Sequence, residues 1–178
     1  MTAIRLKDKT FNLFISEQAI IKGIERVAEA IVQDMTGKSP LFICVLNGAF
    51  MFASDLMKRM DIPCEIDFIR LSSYRGTRSS GAVKEIQGLV AKIENRHVVI
   101  VEDIIDTGHT ISYLKNRLRV ENPASITTAC LLFKPEALQT GVKPDYCALE
   151  IPNDFIVGYG LDYEGLGRNL RHIYKIKN

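Results

Sequence analysis

The sequence has almost no excess of charge of either sign. Lys and Arg number 23 against 21 Asp and Glu, which gives a formal net charge of +2. A protein that binds many nucleic-acid phosphates normally shows a basic surplus or a basic stripe. We therefore expect no nucleic-acid partner, and any anionic ligand must be bound by a local arrangement of hydrogen-bond donors.

Long apolar runs and patterned cysteines are also missing. No apolar run approaches the roughly 18 residues that can span a bilayer, and the N-terminus lacks a signal-peptide pattern. The cysteines show no CxxC spacing and no histidines at metal-ligand distance; they are Cys44, Cys64, Cys130 and Cys147. We predict four reduced thiols and a cytoplasmic protein with no membrane partner.

Two common nucleotide-binding fingerprints are absent as well. Gly76 and Gly81 have the first spacing of a P-loop, but Ala82 and Val83 stand where Lys and Ser or Thr are required. No GxGxxG pattern follows a predicted strand. These absences exclude the P-loop and the dinucleotide-binding types of phosphate site.

The sequence does have an alternation of buried strands and amphipathic helices. The predicted helices begin at Ser16 (with a stop near Gly37), at Ala49 (to about Met60) and just before Ile111; the predicted strands are 41–46, 66–71, 98–101, 126–133 and 155–160. This order predicts an α/β fold with an open, mostly parallel twisted sheet flanked by helices. No linker or repeat divides the chain, so we expect a single domain over residues 1–178.

Polar residues follow several of these strands. Ligands bind at the carboxyl ends of the strands in such folds. The residues after the strands that end at Leu46, Val101 and Phe133 should therefore converge on one crevice.

The segment VVIVEDIIDTGHT, residues 98–110, carries the most information. It predicts a buried strand, an acidic loop with Glu102 and Asp103, and a turn into a helix; the turn comprises Asp106, Thr107, Gly108, His109 and Thr110. The N–H groups and hydroxyls of the turn, together with the helix dipole, suit a phosphate monoester. The two acids suit the hydroxyls of a ribose or a hydrated Mg²⁺, which prefers carboxylate and water oxygens. The alternative, a capped helix after a buried strand, explains less of the pattern.

This segment resembles the phosphoribosyl-pyrophosphate motif of the phosphoribosyltransferases, and specifically of the hypoxanthine-guanine phosphoribosyltransferase family. The likeness runs from about Phe11 to Tyr174; further matches lie at residues 45–48, 67–71, 73–74, 134, 144–152, 155–159, 161–163 and 168. The resemblance implies a type I phosphoribosyltransferase fold with a mobile flap loop and a small hood formed from parts of the N- and C-terminal segments. It implies a homodimer or homotetramer.

The activity that the resemblance implies belongs to purine salvage. The enzyme, a pentosyltransferase, would use Mg²⁺ to transfer the 5-phosphoribosyl group from phosphoribosyl pyrophosphate to hypoxanthine, guanine or both. The products would be IMP or GMP and pyrophosphate. By the same resemblance Asp106 is the acid/base residue at purine N7, and the metal ligands are Glu102, Asp103 and Asp162.

The resemblance also assigns the binding residues. Lys134 would meet the carbonyl at position 6 of the base, because an ammonium has three donors and no acceptor and would be mismatched with the amino group of adenine. The remaining assignments are base stacking for Phe155, base-edge backbone contacts for Ile156, the far base edge for Asp162, pyrophosphate contacts for Leu46, Asn47, Gly48 and Arg168, and the flap for Ser73 and Tyr74. The family places a cis peptide bond between Leu46 and Asn47. Many relatives have lysine where this chain has Asn47.

Two alternatives remain open. A regulatory homologue would bind nucleotides and act on nucleic acid, but this sequence has neither room for a DNA-reading module nor a basic face. A transferase of different base choice is the other alternative, for adenine, xanthine or a pyrimidine. Lys134 and Phe155, with the flap residues Ser73 and Tyr74, favour 6-oxopurines, and residue identity does not decide among hypoxanthine, guanine and xanthine.

Overall fold

The computed structural model describes residues 3–73 and 83–177. The helices are α1 (Glu17–Met35), α2 (Phe50–Met57) and α3 (His109–Arg119), with a 3₁₀ turn at Pro135–Ala137. The strands are β1 (Ala3–Leu6), β2 (Lys9–Ile15), β3 (Leu41–Leu46), β4 (Glu65–Ser73), β5 (Val83–Gln87), β6 (His97–Ile105), β7 (Ser125–Phe133), β8 (Tyr146–Glu150), β9 (Ile156–Val157) and β10 (Ile173–Ile176).

The large sheet has the strand order β5-β4-β3-β6-β7-β8. Every neighbouring pair is parallel except β4 and β5, which are antiparallel. The chain adds β4 on one side of β3 and then β6, β7 and β8 on the other, so the direction of winding reverses between β3 and β6. This confirms the predicted fold class, and it places the expected ligand crevice at the carboxyl ends of β3 and β6.

Helices cover both faces of this sheet. Phe42 and Cys44 of β3 pack in the core under α1 and α2, whereas Ile43 and Val45 face the core under α3. A strand that is buried on both faces needs a continuous apolar run, which is why 41–46 could be recognised in the sequence. As predicted, α1 begins after Ser16, whose hydroxyl accepts a hydrogen bond from the Ala19 N–H at 3.3 Å.

A second, smaller sheet joins the two ends of the chain. Its strand order is β1-β2-β10-β9, and its core contains Phe11, Val157 and Tyr174. Its position in the chain agrees with the hood that the family resemblance implied. The periodicity of the sequence did not predict β1, β2 or β10, because short strands with one exposed face carry weak patterns.

Several predicted boundaries were wrong. Glu102 and Asp103 lie on β6 and not in a loop, because pairing with the long neighbour β7 continues the strand to Ile105. Helix α2 ends at Met57 instead of Met60, and only two residues of 155–160 form a strand. Strand β4 continues to Ser73, beyond the predicted end at Leu71, and β5 and β8 were not foreseen.

Two further observations concern the cysteines and the helices. The four cysteines are free thiols. No helix among residues 3–73 and 83–177 is long and apolar enough to cross a membrane.

Asp67 on β4 holds the chain that returns after β5. Its Oδ2 atom accepts hydrogen bonds from the N–H groups of Val90 and Ala91 at 2.8 Å each, and Oδ1 accepts one from Phe68 at 2.7 Å. Burial alone would raise the pKa of Asp67, but these N–H groups hold it below its ordinary value.

Replacing Asp67 with Ala should lower the free energy of unfolding by about 1–2 kcal/mol at pH 7, because hydrogen bonds to a charged acceptor are lost at a partly exposed site. The folded state has the lower pKa, so the contribution is present above the unfolded-state value of about 3.9 and is lost as the pH falls through the folded-state value. Urea denaturation at several pH values measures the difference, with Asp61→Ala, at an exposed position, as the control. A difference that stayed constant from pH 7 to about pH 3 would contradict the assignment.

Candidate active site

Three adjoining cavities lie at the carboxyl edge of the large sheet. The first, of 240 Å³, follows β6 into the start of α3, and the second, of 230 Å³, lies between the ends of β3 and β6. The third, of 190 Å³, includes Lys134, Phe155 and Ile156. Asp103 lines all three cavities. The strand ends were thus predicted correctly to meet at one crevice.

The first cavity is built by the turn from Asp106 to Thr110. Gly108 has φ +84°, and a Cβ atom added to it would lie 2.3 Å from Thr140 Oγ1, so no other residue fits without displacement. The turn is held from outside by a hydrogen bond from the Gln139 N–H to the Thr107 carbonyl at 3.0 Å. No side chain in the described part of the chain caps the first N–H groups of α3. These N–H groups and the helix dipole make the turn suited to an anion.

Glu102 and Asp103 are the adjacent acids on β6. Glu102 is only 6% exposed, and its Oε2 atom has no hydrogen-bond partner among the described residues. Burial raises the pKa of Glu102 well above its ordinary value, and the neighbouring Asp103 carboxyl raises it further. Burial also raises the pKa of Asp103, against the opposing hydrogen bonds from Glu102 and the Ile104 N–H and the charge of Arg168. An unpartnered buried carboxylate oxygen is costly, and it suits a site that receives a hydroxyl or a cation.

The loop after β3 packs directly against these acids. The peptide bond between Leu46 and Asn47 is cis, as the family resemblance implied. A Cβ atom on Gly48 would lie 1.5 Å from Asp103 Oδ2, and a Cβ atom on Gly160 would lie 2.1 Å from the Gly48 carbonyl oxygen. The loop therefore lies between Asp103 and the segment around Gly160, while the Asn47 side chain is exposed.

Lys134 stands at the end of β7, in the third cavity. It is 6% exposed, and its Nζ atom lies 3.4 Å from Asp106 Oδ2 and 3.3 Å from Asn153 Oδ1. Phe155 is 47% exposed. Its ring lies edge-on to Tyr163 at 6.0 Å between centroids and 6.3 Å from Phe11, so a flat exposed face is held by a small aromatic cluster.

Arg168 and Asp162 line the second and third cavities as an ion pair. Arg168 Nη2 lies 2.5 Å from Asp162 Oδ1, and Arg168 Nη1 donates to the Gly160 carbonyl at 2.7 Å. Asp162 Oδ2 accepts from the Gly165 N–H at 2.7 Å. The sequence predicted both residues at the site but not that they pair with each other.

The remaining predicted residues are placed as follows. Thr107 and Thr110 line the first cavity. His109 is exposed, and its ring contacts Gln139 Oε1 at 3.2 Å. Ile156 is buried on β9. Ser73 ends β4, and Tyr74 lies outside the described residues.

The structure adds residues that sequence reasoning missed. The Tyr159 hydroxyl donates a hydrogen bond to Asp55 Oδ2 on α2, which connects the segment of the third cavity to the helix that follows the Leu46–Gly48 loop. Asn153 contacts Lys134 from the chain before Phe155. Only long-range packing brings these pairs together, and no sequence spacing signals them.

Comparison with known proteins agrees with this geometry. The phosphoribosyl transferase domain family matches residues 15–164. The hypoxanthine-guanine phosphoribosyltransferase of Streptococcus pyogenes serotype M3 is 42% identical over 166 residues, which cover 93% of this chain and 92% of that protein. The hypoxanthine phosphoribosyltransferase structure from Staphylococcus aureus superposes with a TM-score of 0.89 at 37% identity, over 93% of this chain and 91% of that one. The Trypanosoma cruzi hypoxanthine phosphoribosyltransferase in complex with the product IMP has a TM-score of 0.88 at 38% identity, over 98% and 97% of the two chains.

The contact between Gly48 and Asp103 gives a steric prediction. Gly48→Ala should displace the Asp103 carboxyl group from the shared wall of the cavities, because the new methyl group would occupy the position of Oδ2. A crystal structure of the variant measures the displacement. In the matched control Gly23→Ala the new methyl group would lie 3.1 Å from Ala148 Cβ, and the cavities should not change. An unmoved Asp103 in Gly48→Ala would show that the loop is not packed as described.

Proposed function

Since the chain belongs to the hypoxanthine-guanine phosphoribosyltransferase family, we propose that it transfers the 5-phosphoribosyl group of phosphoribosyl pyrophosphate to hypoxanthine, guanine or both. The products are IMP or GMP and pyrophosphate, and the process is purine salvage. The observation that carries the proposal is the wall that the three cavities share at Asp103. One substrate with a phosphate, a ribose and a pyrophosphate can occupy the first and second cavities and leave the third cavity to the base.

The donors in each cavity suggest where the substrate parts bind. The 5′-phosphate suits the N–H groups of 107–110 at the start of α3. The ribose hydroxyls suit Glu102 and Asp103, which accept hydrogen bonds from neutral donors. The pyrophosphate suits the second cavity, where the Leu46–Gly48 loop and Arg168 face the acids.

We further propose that Glu102 and Asp103 hold Mg²⁺ and that Asp162 serves a second metal ion. No group of three or more His, Cys, Asp or Glu side chains within residues 3–73 and 83–177 is close enough to bind a metal alone. Mg²⁺ binds through one or two carboxylates and completes its shell with water and substrate oxygens, and Glu102 and Asp103 are two adjacent acids. The unpartnered Oε2 of Glu102 supports a cation or hydroxyl donor nearby. When bound, Mg²⁺ would supply neutralisation of the leaving pyrophosphate.

The residues of the third cavity bind the base and accept its proton. Phe155 offers the exposed ring on which a purine can stack, and the Ile156 backbone lies beside it. Lys134 donates to the carbonyl at position 6. As purine N9 bonds to C1′ and the C1′–O bond to pyrophosphate breaks, Asp106 accepts the proton of N7. Closure of the flap at Ser73 and Tyr74 would exclude water from the cationic sugar.

We also propose that the chain works in the cytoplasm as one domain per subunit of a homodimer or homotetramer. Exposed apolar side chains on one sheet face support self-association. Ile66 and Phe68 of β4 are 38% and 39% exposed, although their register partners Phe42 and Cys44 on β3 are buried. Large exposed apolar side chains on one continuous face are typical of interfaces.

One assay tests the proposed reaction. The protein is incubated with phosphoribosyl pyrophosphate, Mg²⁺ and each of hypoxanthine, guanine, xanthine and adenine, and the nucleotide formed is measured. We expect products from 6-oxopurines and a preference over adenine of roughly 10⁴-fold, because Lys134 presents only donors. Absence of any nucleotide, or equal use of adenine, would contradict the proposal; binding to nucleic acid without any transfer would favour the regulatory alternative.

The proposed proton acceptor has its own test. Asp106→Asn should lower kcat by about 10²- to 10⁴-fold, because the amide cannot take the N7 proton. The KM for phosphoribosyl pyrophosphate should change little, since 107–110 bind the phosphate through N–H groups. Steady-state kinetics with both substrates varied measures the two effects. Full turnover in Asp106→Asn, with Mg²⁺ dependence intact, would remove Asp106 from the chemistry.

A further inference from the structure

We propose that Asn153 is a positioning residue that aims the Lys134 ammonium at the carbonyl of the base and so contributes to base selectivity. The inference rests on the proposed function, because it deepens the role of the third cavity. It starts from the contact of 3.3 Å between Lys134 Nζ and Asn153 Oδ1.

Two of the three N–H donors of the Lys134 ammonium have acceptors within the described residues. A buried ammonium has three N–H donors and is stable only when they are satisfied. Within the described residues two acceptors reach Nζ, the Oδ2 atom of Asp106 at 3.4 Å and the Oδ1 atom of Asn153. Lys134 itself lines the third cavity together with Phe155 and Ile156. The third donor is therefore available to a ligand in that cavity, and the two acceptors fix its direction.

The two acceptors differ in whether they change protonation during the proposed reaction. Asp106 takes the N7 proton in the proposed mechanism, and a carboxyl group that carries a proton is a weaker acceptor for Lys134. The amide oxygen of Asn153 keeps the same charge and the same lone pairs throughout. Asn153 therefore holds Lys134 in place while Asp106 changes its partner.

The backbone around Asn153 supports this role. The Ile151 N–H donates to the Phe133 carbonyl at 2.8 Å, next to Lys134, and the Lys134 N–H donates to the Ile105 carbonyl at 2.9 Å. The neighbouring Asp154 N–H donates to the Pro152 carbonyl at 2.8 Å. Asn153 thus stands on a segment that is tied to the end of β7 and leads directly to Phe155. The contact fixes the donor of Lys134 relative to the ring on which the base would stack.

The position also makes the inference testable. Asn153 is exposed, so its side chain is not part of the core and its substitution should leave the fold intact. If the role of Asn153 were purely structural, its substitution would change the thermal unfolding midpoint or would change the KM of both substrates to the same extent. A positioning role would change the KM and the affinity for the base but not those for the sugar phosphate.

The matched variants are Asn153→Leu, which has a similar size but no acceptor, and Asn153→Asp, which keeps an acceptor oxygen in the same place. For Asn153→Leu we expect the KM for hypoxanthine to rise about tenfold, since a hydrogen bond to a charged group is lost. The KM for phosphoribosyl pyrophosphate should stay within about twofold, and Asn153→Asp should restore the base KM to within about threefold. Asn153→Ala repeats the test if the leucine shifts the unfolding midpoint.

Calorimetry provides a readout that does not depend on turnover. Asn153→Leu should weaken the binding of IMP by about tenfold and leave that of ribose 5-phosphate unchanged, because only IMP has the 6-carbonyl. An unchanged affinity for IMP, an equal loss for both ligands, or no difference between Asn153→Leu and Asn153→Asp would overturn the inference. The proposed function fails separately, if the wild-type protein forms no nucleotide from any base.

Discussion

Glu102 and Asp103 are adjacent acids on β6, near the carboxyl edge of the large sheet. Burial there disfavours the charged form of both carboxyl groups and raises their pKa. The Oε2 atom of Glu102 has no hydrogen-bond partner in the part of the chain that the structure describes. Parallel pairing of β6 with β7 keeps the acids on a strand and therefore at a fixed position. Because Asp103 lines all three cavities, the geometry of the whole site depends on how this strand ends.

The elements around the acids are connected to one another as well as to the acids. The Leu46–Gly48 loop fits between Asp103 and Gly160 only because both glycines lack a side chain. Helix α2, which follows this loop, holds Tyr159 through Asp55. The segment that carries Phe155 and Asp162 thus contacts the loop through Gly160 and contacts α2 through Tyr159. Rigid connections of this kind suit a reaction that needs three substrate parts in fixed relative positions.

The sequence predicted the parts of this arrangement that depend on local pattern. Strands buried on both faces give continuous apolar runs, and Gly108, which has a positive φ angle, marks a turn before a helix. The sequence pattern wrongly placed Glu102 and Asp103 in a loop, because acidic residues seldom continue a buried strand. The sequence did not predict three other features: the small sheet, the pairing of Arg168 with Asp162 and the contact of Asn153 with Lys134. The small sheet joins residues far apart in the chain, and the two side-chain pairs follow no periodic pattern. Such contacts depend on how the side chains pack, which hydrophobic periodicity does not indicate.

A crystal structure of the protein with IMP tests the account most directly. We predict the phosphate on the N–H groups of residues 107–110, the ribose hydroxyls on Glu102 and Asp103, and the 6-carbonyl within hydrogen-bond distance of Lys134 Nζ. A nucleotide bound outside the three cavities, or bound with Glu102 and Asp103 turned away from its ribose, would contradict the central role of these two acids.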